Sequence, residues 1–135
     1  VKGAQTSEAI VDQLTGFCTS LNKVPVLCND APGFIVNRVA RHFYLESLRI
    51  MEQEDANPEQ VDAVLENAGF KMGPFKLMDL IGMDINYAVS QSLYDALDKP
   101  LRLKPSEIQE KKVSEGKLGR KTGEGFYNYA AQPSA

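Results

Sequence analysis

The chain has 135 residues and a formal net charge of -3, with 43% hydrophobic and 24% charged residues. That is the size and balance of one globular domain, or one domain with a piece of another, with a real core. The negative balance argues against a nucleic-acid partner, which requires a basic face, and no stretch reaches the apolar length of a membrane span. Cys18 and Cys28 have no metal-ligand spacing, and the single His42 cannot complete a zinc set, so no metal site is expected. Two reduced thiols fit a cytoplasmic protein. The sequence opens at "VKGAQTSEA" without Met or a signal peptide, which suggests a fragment or a processed chain.

In chain order, "TSEAIVDQLTGFCTSL" carries a Thr/Ser cap with Glu8 close behind, and apolar residues at Ile10, Val11, Leu14, Phe17 and Leu21. This predicts a helix with a one-sided apolar stripe. "KVPVLCND" is short, rich in β-branched residues and closed by Asn29-Asp30, and it reads as a strand. Helix then strand is half of an α/β unit, and a lone strand needs a sheet that this chain does not supply.

From Asp30 onward the signals are helical. Asp30 is expected to cap a helix entered through Pro32-Gly33 and running to about Glu54. Asn57-Pro58-Glu59-Gln60 joins a cap, a Pro at the first helical position and a capping-box Gln, for a helix ending near Gly69. Gly73-Pro74 opens a short helix that stops at Gly82. Another starts at Asp84 and runs to about Leu97, where "DKP" breaks it. Ser106 with Gln109 is a second capping box, for a helix ending at Gly116. "GRKTGEGFYNY" reads as a loop and a short extended segment, and "AAQPSA" as a frayed end.

The helix after Pro32 is apolar on most sides. At about 100° per residue, Asn37, Ala40, Tyr44, Leu48 and Met51 share one face. Val36, Val39, Phe43 and Ile50 share another, leaving a narrow polar strip near Arg38, His42 and Arg49. Such a helix is either central to a bundle or partly covered by a second copy of the chain.

Few motifs carry chemistry. "GKLGRKT" fails as a phosphate loop on spacing and lacks the flanking strand and helix. His42 and Glu46 stand at i and i+4, which imitates a catalytic pair but reads as a local contact on the polar strip. Asn37 is an amide on an apolar face. It is either a packing group that satisfies a neighbour or fixes register, or a donor that steadies a substrate oxygen. Lys121, in a glycine-rich loop beside Arg120, is either a solvated charge or a contact for an anionic ligand.

Three stretches in order, "PGFIVNR" (Pro32–Arg38), "MGPFKLMDLIGMD" (Met72–Asp84) and "GKLGRKTGEGFYNY" (Gly116–Tyr129), resemble the C-terminal domain of NAD-dependent 3-hydroxyacyl-CoA dehydrogenases, the bacterial 3-hydroxybutyryl-CoA type above all. The resemblance covers most of residues 24–129. It implies a mainly α fold: a helical bundle of the 6-phosphogluconate-dehydrogenase-like type over residues 30–129, forming the substrate and dimer domain. A short α/β tail of an NAD-binding Rossmann domain would precede it at residues 1–29, with a disordered tail at 130–135. It makes Asn37 an active-site residue that hydrogen-bonds the reacting end of the substrate, and brings Lys121 to the nicotinamide cofactor. Pro74 and Phe75 would shape the turn near an acyl pocket.

In the same family a GxGxxG turn, a catalytic Ser and a His-Glu pair lie in the N-terminal domain. None of them is in this sequence, and His42 does not match the family's His. The resemblance therefore implies an acyl-CoA substrate, NAD held mainly elsewhere, a homodimer, no nucleic-acid or membrane partner, and a chain that is silent alone. Two other expectations stand beside it. One is an autonomous dimerisation module with Asn37 as a packing amide; the other is a related dehydrogenase of a non-CoA hydroxy acid.

Overall fold

The structure, a computed structural model, describes residues 1–53 and 56–129. Six α-helices follow one another: α1 (Glu8–Ser20), α2 (Val36–Glu52), α3 (Pro58–Asn67), α4 (Pro74–Ile81), α5 (Met83–Ala96) and α6 (Glu107–Ser114). Single 3-10 turns at Leu101–Leu103 and Arg120–Thr122 complete the elements. Among the described residues no helix is long and apolar enough to cross a membrane.

Local chemistry sets most of the boundaries. Ser7 caps α1 by accepting from the Ile10 amide. Asn57 and Gln60 form a reciprocal capping box at α3, with Pro58 in the first turn, and Ser106 and Gln109 do the same at α6. Asp98 and Lys99, both left-handed, end α5 at the "DKP" break.

Two expectations fail. Asp30 does not cap the long helix, which starts only at Val36, after a turn in which the Phe34 amide donates to the Ala31 carbonyl at 2.9 Å. Gly33 is left-handed, and a Cβ there would lie 2.6 Å from Leu93 Cδ2, so packing on α5 holds this turn out of the helix. The strand expected at 23–28 is not formed. The segment makes no ladder: one parallel bridge, Lys2 to Asn29, closes its end, with the Lys2 amide donating to the Cys28 carbonyl at 2.8 Å, and among the described residues no strand is present to pair with it. Glu54, the expected end of the long helix, and the "AAQPSA" end lie outside the described residues.

The core lies where α2, α4 and α5 meet, with α3 and the last segment laid over it. Leu45, Leu48, Phe75, Met78 and Met83 are fully buried, each contributing about 1.5–3 kcal/mol of burial. α1 has no buried residue: Ile10, Leu14 and Phe17 are exposed, as is Leu21 at its C-cap. On α2 the predicted face of Tyr44 and Leu48 is inward, while Val36, Val39 and Ile50 are exposed and Phe43 stacks on Phe70 at 4.8 Å.

The closing segment is tied down by two buried carboxylates. Asp62 accepts from the Phe75 and Lys76 amides at 2.9 and 3.0 Å, and from the Tyr127 hydroxyl at 2.7 Å. Asp79 accepts from the Phe126 and Tyr127 amides at 2.9 Å and from the Tyr129 hydroxyl at 3.1 Å. Asp79→Asn replaces an acceptor with an amide facing donors and should cost about 2–4 kcal/mol, measured by urea denaturation. Asp98→Asn, at the exposed break, should stay within about 0.5 kcal/mol.

Candidate active site

Asn37 is the second residue of α2 and prolongs the row of Tyr44 and Leu48 by two turns. The sequence placed it facing the core. In the structure it is exposed, and its side chain has no hydrogen bond among the described residues. Tyr44 and Leu48 are covered by neighbouring helices, whereas nothing in the described residues covers the first turn of α2 on that face. The packing reading of this amide therefore has no contact to support it. A rigid helix, fixed at its root by the Gly33 to Leu93 contact, presents a free donor and acceptor outward.

Lys121 sits in the 3-10 turn Arg120–Thr122, and this turn is held in place by Asp79. A Cβ on Gly119 would lie 2.3 Å from the Asp79 carbonyl oxygen, and one on Gly125 would lie 2.1 Å from Asp79 Oδ1, so the segment closes on the carboxylate only with glycine there. The Met83 amide, at the start of α5, donates to the Leu118 carbonyl at 3.1 Å. From this turn the Lys121 ammonium reaches Asp84 Oδ1 at 2.5 Å, with both side chains about two-fifths exposed (43% and 40%). The Lys121 hydrogen bond holds the Asp84 carboxyl below its usual range.

The two residues are not brought together. Asn37 lies toward the Leu93 end of α5 and Lys121 beside Asp84 at the other end, with about 13 Å of helix rise between those positions. His42 and Glu46 do not pair. Glu46 takes Arg49 at 2.9 Å and Arg102 at 3.0 Å, and these hold its carboxyl low, while His42 Nδ1 is buried without a partner among the described residues. Phe75 is fully buried with its ring 4.7 Å from that of Phe126, so it presents nothing to an open surface. A cleft lined by Arg49, Leu101 and Ser106 touches neither Asn37 nor Lys121. Among the described residues no group of three metal-ligating side chains converges.

Sequence reasoning missed Asp62, Asp79 and a buried polar cluster of Arg41, Asn86, Ser90 and Gln109. Each breaks the apolar face of its helix. That signal was available, but it does not distinguish a buried hydrogen-bonded group from a surface one.

The family model of the 3-hydroxyacyl-CoA dehydrogenase C-terminal domain matches residues 33–129. The chain belongs to this family and carries that domain. It is 46% identical over its whole length to the Escherichia coli K12 protein named 3-hydroxyadipyl-CoA dehydrogenase, of which it covers 29%. It is 40% identical over 96% of its length to the human mitochondrial hydroxyacyl-coenzyme A dehydrogenase, of which it covers 41%. Its fold matches the crystal structure of an E. coli 3-hydroxybutyryl-CoA dehydrogenase with a TM-score of 0.93 at 45% identity, covering 99% of this chain and 29% of that one. It matches the (S)-3-hydroxybutyryl-CoA dehydrogenase of Ralstonia eutropha with a TM-score of 0.88 at 31% identity, covering 93% and 44%. The chain thus spans less than half the length of these relatives.

The tyrosines that bind Asp79 and Asp62 give a pH signature. Burial and the nearby Asp79 charge push the Tyr129 hydroxyl from its ordinary value of 10.0 to about 12, and burial with the Asp62 bond pushes Tyr127 up further. A hydroxyl that keeps its proton longer when folded stabilises fully below the unfolded value, and that contribution is lost as pH rises through the folded one. Stability should therefore fall as pH climbs from about 10 through about 12, followed by denaturant midpoint together with tyrosinate absorbance.

Proposed function

We propose that the chain is part of an NAD-dependent 3-hydroxyacyl-CoA dehydrogenase, in which residues 30–129 supply the substrate-facing and dimer-forming domain and residues 1–29 pack against an α/β nucleotide-binding unit. The observation that carries this is Asn37: an exposed amide without a partner, on a rigid helix, at the position where the resemblance puts an active-site asparagine. The exposed stripe of α1 and the exposed Val24, Val26 and Leu27 support the second part, since apolar faces of this size call for a covering layer. The protein is read as cytoplasmic, in line with its two free thiols.

The reaction is oxidation of the 3-hydroxyl of an acyl-CoA thioester to a 3-keto group. The hydroxyl proton passes to a general base, assigned by the resemblance to a His outside this sequence, and the nicotinamide, when bound, supplies the hydride acceptor. Asn37 donates from its amide to the substrate oxygen at C3 and fixes it as it becomes a carbonyl. Lys121 extends a cation toward the cofactor. Asp84 keeps that ammonium at the start of α5, where the helix dipole alone would disfavour it. The cofactor's main holding lies in the nucleotide-binding unit.

The acyl part is a short chain, either plain, as in the 3-hydroxybutyryl-CoA relatives, or dicarboxylic, as the name of the E. coli relative says of that protein. A second copy of the chain covers the exposed face of Val36, Val39 and Ile50 and makes the homodimer. A bare dimerisation module would share that face, but it gives Asn37 no role.

In the full-length protein, Asn37→Ala should lower kcat for NADH-linked reduction of acetoacetyl-CoA about 10²- to 10³-fold, with circular dichroism and light scattering unchanged. Equal activity of the two proteins would make Asn37 a bystander. Lys121→Ala should instead raise the KM for NADH about 10- to 100-fold, the worth of one charge-assisted hydrogen bond.

A further inference from the structure

Gly82 alone joins α4 to α5, and an ion pair lies directly over it. Its φ of 103° is left-handed, and a Cβ there would lie 2.9 Å from both Lys121 Nζ and Asp84 Oδ1. Only bare backbone lets the pair settle on this turn. The pair is held from two distant parts of the chain: Asp84 is the second residue of α5, and Lys121 comes from the turn Arg120–Thr122. Asp84 takes one N–H of the Lys121 ammonium, and the others have no partner among the described residues. A carboxylate likewise keeps acceptor room beyond a single ammonium. The two charges offset each other, so the pair is a neutral donor and acceptor side by side and not a seat for a phosphate.

The stretch around the pair is apolar and open. Leu80 and Ile81 before Gly82 and Ile85 after it are all exposed, and such a collar marks a surface that something covers. A purely apolar cover would strip water from Asp84 and Lys121 and leave their remaining donors and lone pairs unmet, which is costly. The cover that fits is a flat apolar ring bearing a neutral group that both accepts and donates. A primary carboxamide does this: its oxygen takes an N–H from the ammonium, and its NH2 gives one to the carboxylate.

We propose that Asp84 and Lys121 together bind the carboxamide of the nicotinamide ring, and that Asp84 is the residue that selects an amide there. The proposal rests on the dehydrogenase reading above, and it gives Asp84 a contact of its own where that reading has it only steady Lys121. Lys121 Nζ donates to the carboxamide oxygen, and Asp84 accepts from the carboxamide nitrogen. Leu80, Ile81 and Ile85 lie against the ring and keep water from both bonds, which strengthens them. A ring bearing an acetyl group keeps the oxygen but sets a methyl where the NH2 stood. Asp84 then faces that methyl with an unmet acceptor, and the analogue is disfavoured for that reason.

The experiment measures, by titration calorimetry on the full-length protein, the binding of NADH and of its reduced 3-acetylpyridine analogue, with acetoacetyl-CoA turnover followed alongside. The unaltered protein should bind NADH about 10- to 100-fold more tightly than the analogue. Asp84→Ala should bring that ratio close to one, and Asp84→Asn, whose side-chain oxygen still accepts, should keep part of it. Lys121→Ala should weaken both ligands by the same factor, because both carry the oxygen it contacts. Equal binding of the two by an unaltered protein that reduces acetoacetyl-CoA would overturn the proposal and leave the dehydrogenase reading intact. An unchanged ratio in Asp84→Ala, with both affinities lowered alike, would also overturn it, making Asp84 only a tether for Lys121. Neither NADH binding nor turnover in the unaltered protein would overturn the dehydrogenase reading and this proposal together. Where Asp84→Ala does not fold, Asp84→Leu, which matches the apolar collar, carries the same comparison.

Discussion

Asp79 is 1% exposed and has no ion pair among the described residues, so its charge must be met by hydrogen bonds. It finds them in one place, the amides of Phe126 and Tyr127 and the Tyr129 hydroxyl, all from the closing segment. Tyr127 then carries the constraint onward, because its hydroxyl donates to Asp62, which also accepts from the first amides of α4. A buried carboxylate with its donors removed would be strongly unfavourable, so the tail cannot detach without exposing both acids to that penalty. Lys112 adds to the clasp by donating to the Gly125 carbonyl at 2.6 Å, with its ammonium 5.0 Å over the Phe126 ring. The turn that bears Lys121 is thus positioned by a core acid some forty residues earlier in the chain, not by its own loop.

The placement of Asn37 comes from a different source. α2 is buried along one face over its middle and later turns and open at its first, so it is a rigid post whose first turn lies beyond the packed bundle. Its periodicity is unbroken across that boundary: the direction that buries Tyr44 and Leu48 is the direction in which Asn37 faces outward. The poor helix propensity of Asn costs little in the first turn, where amides are otherwise short of partners.

The features written in local chemistry were legible in the sequence. The capping boxes of Asn57 with Gln60 and Ser106 with Gln109, the Gly73-Pro74 start and the "DKP" break all appear where the residues put them. What went astray depended on distant contacts. The start of α2 is decided by Leu93, about sixty positions away, and the segment at 23–28 has β composition but no neighbour with which to pair. Helical periodicity put Asn37 on the face of Tyr44 and Leu48, but did not show that this face is uncovered at the first turn. Asn37 and Lys121 were singled out with open roles from chemistry, and only the resemblance gave them functions. Arg41, Asp62 and Asp79 went unnoticed because a charge on an apolar face looks the same in sequence whether it is solvated or enclosed.

One helix relates these separate parts. α5 receives the Lys121 segment at Met83 and Asp84, the Arg41 cluster at Asn86 and Ser90, and the root of the Asn37 turn at Leu93. These contacts follow in order from Met83 to Leu93, so the spacing between the Lys121 turn and the root of the Asn37 turn is that of a rigid rod. Polar contacts hold its first two-thirds and close packing its end, so a register shift of α5 would displace both at once. The buried network of Asn86, Ser90 and Gln109 fixes that register, since sliding α5 by a single residue would turn Asn86 and Ser90 away from Arg41. The arrangement that buries a guanidinium among neutral acceptors therefore also keeps the candidate site in alignment.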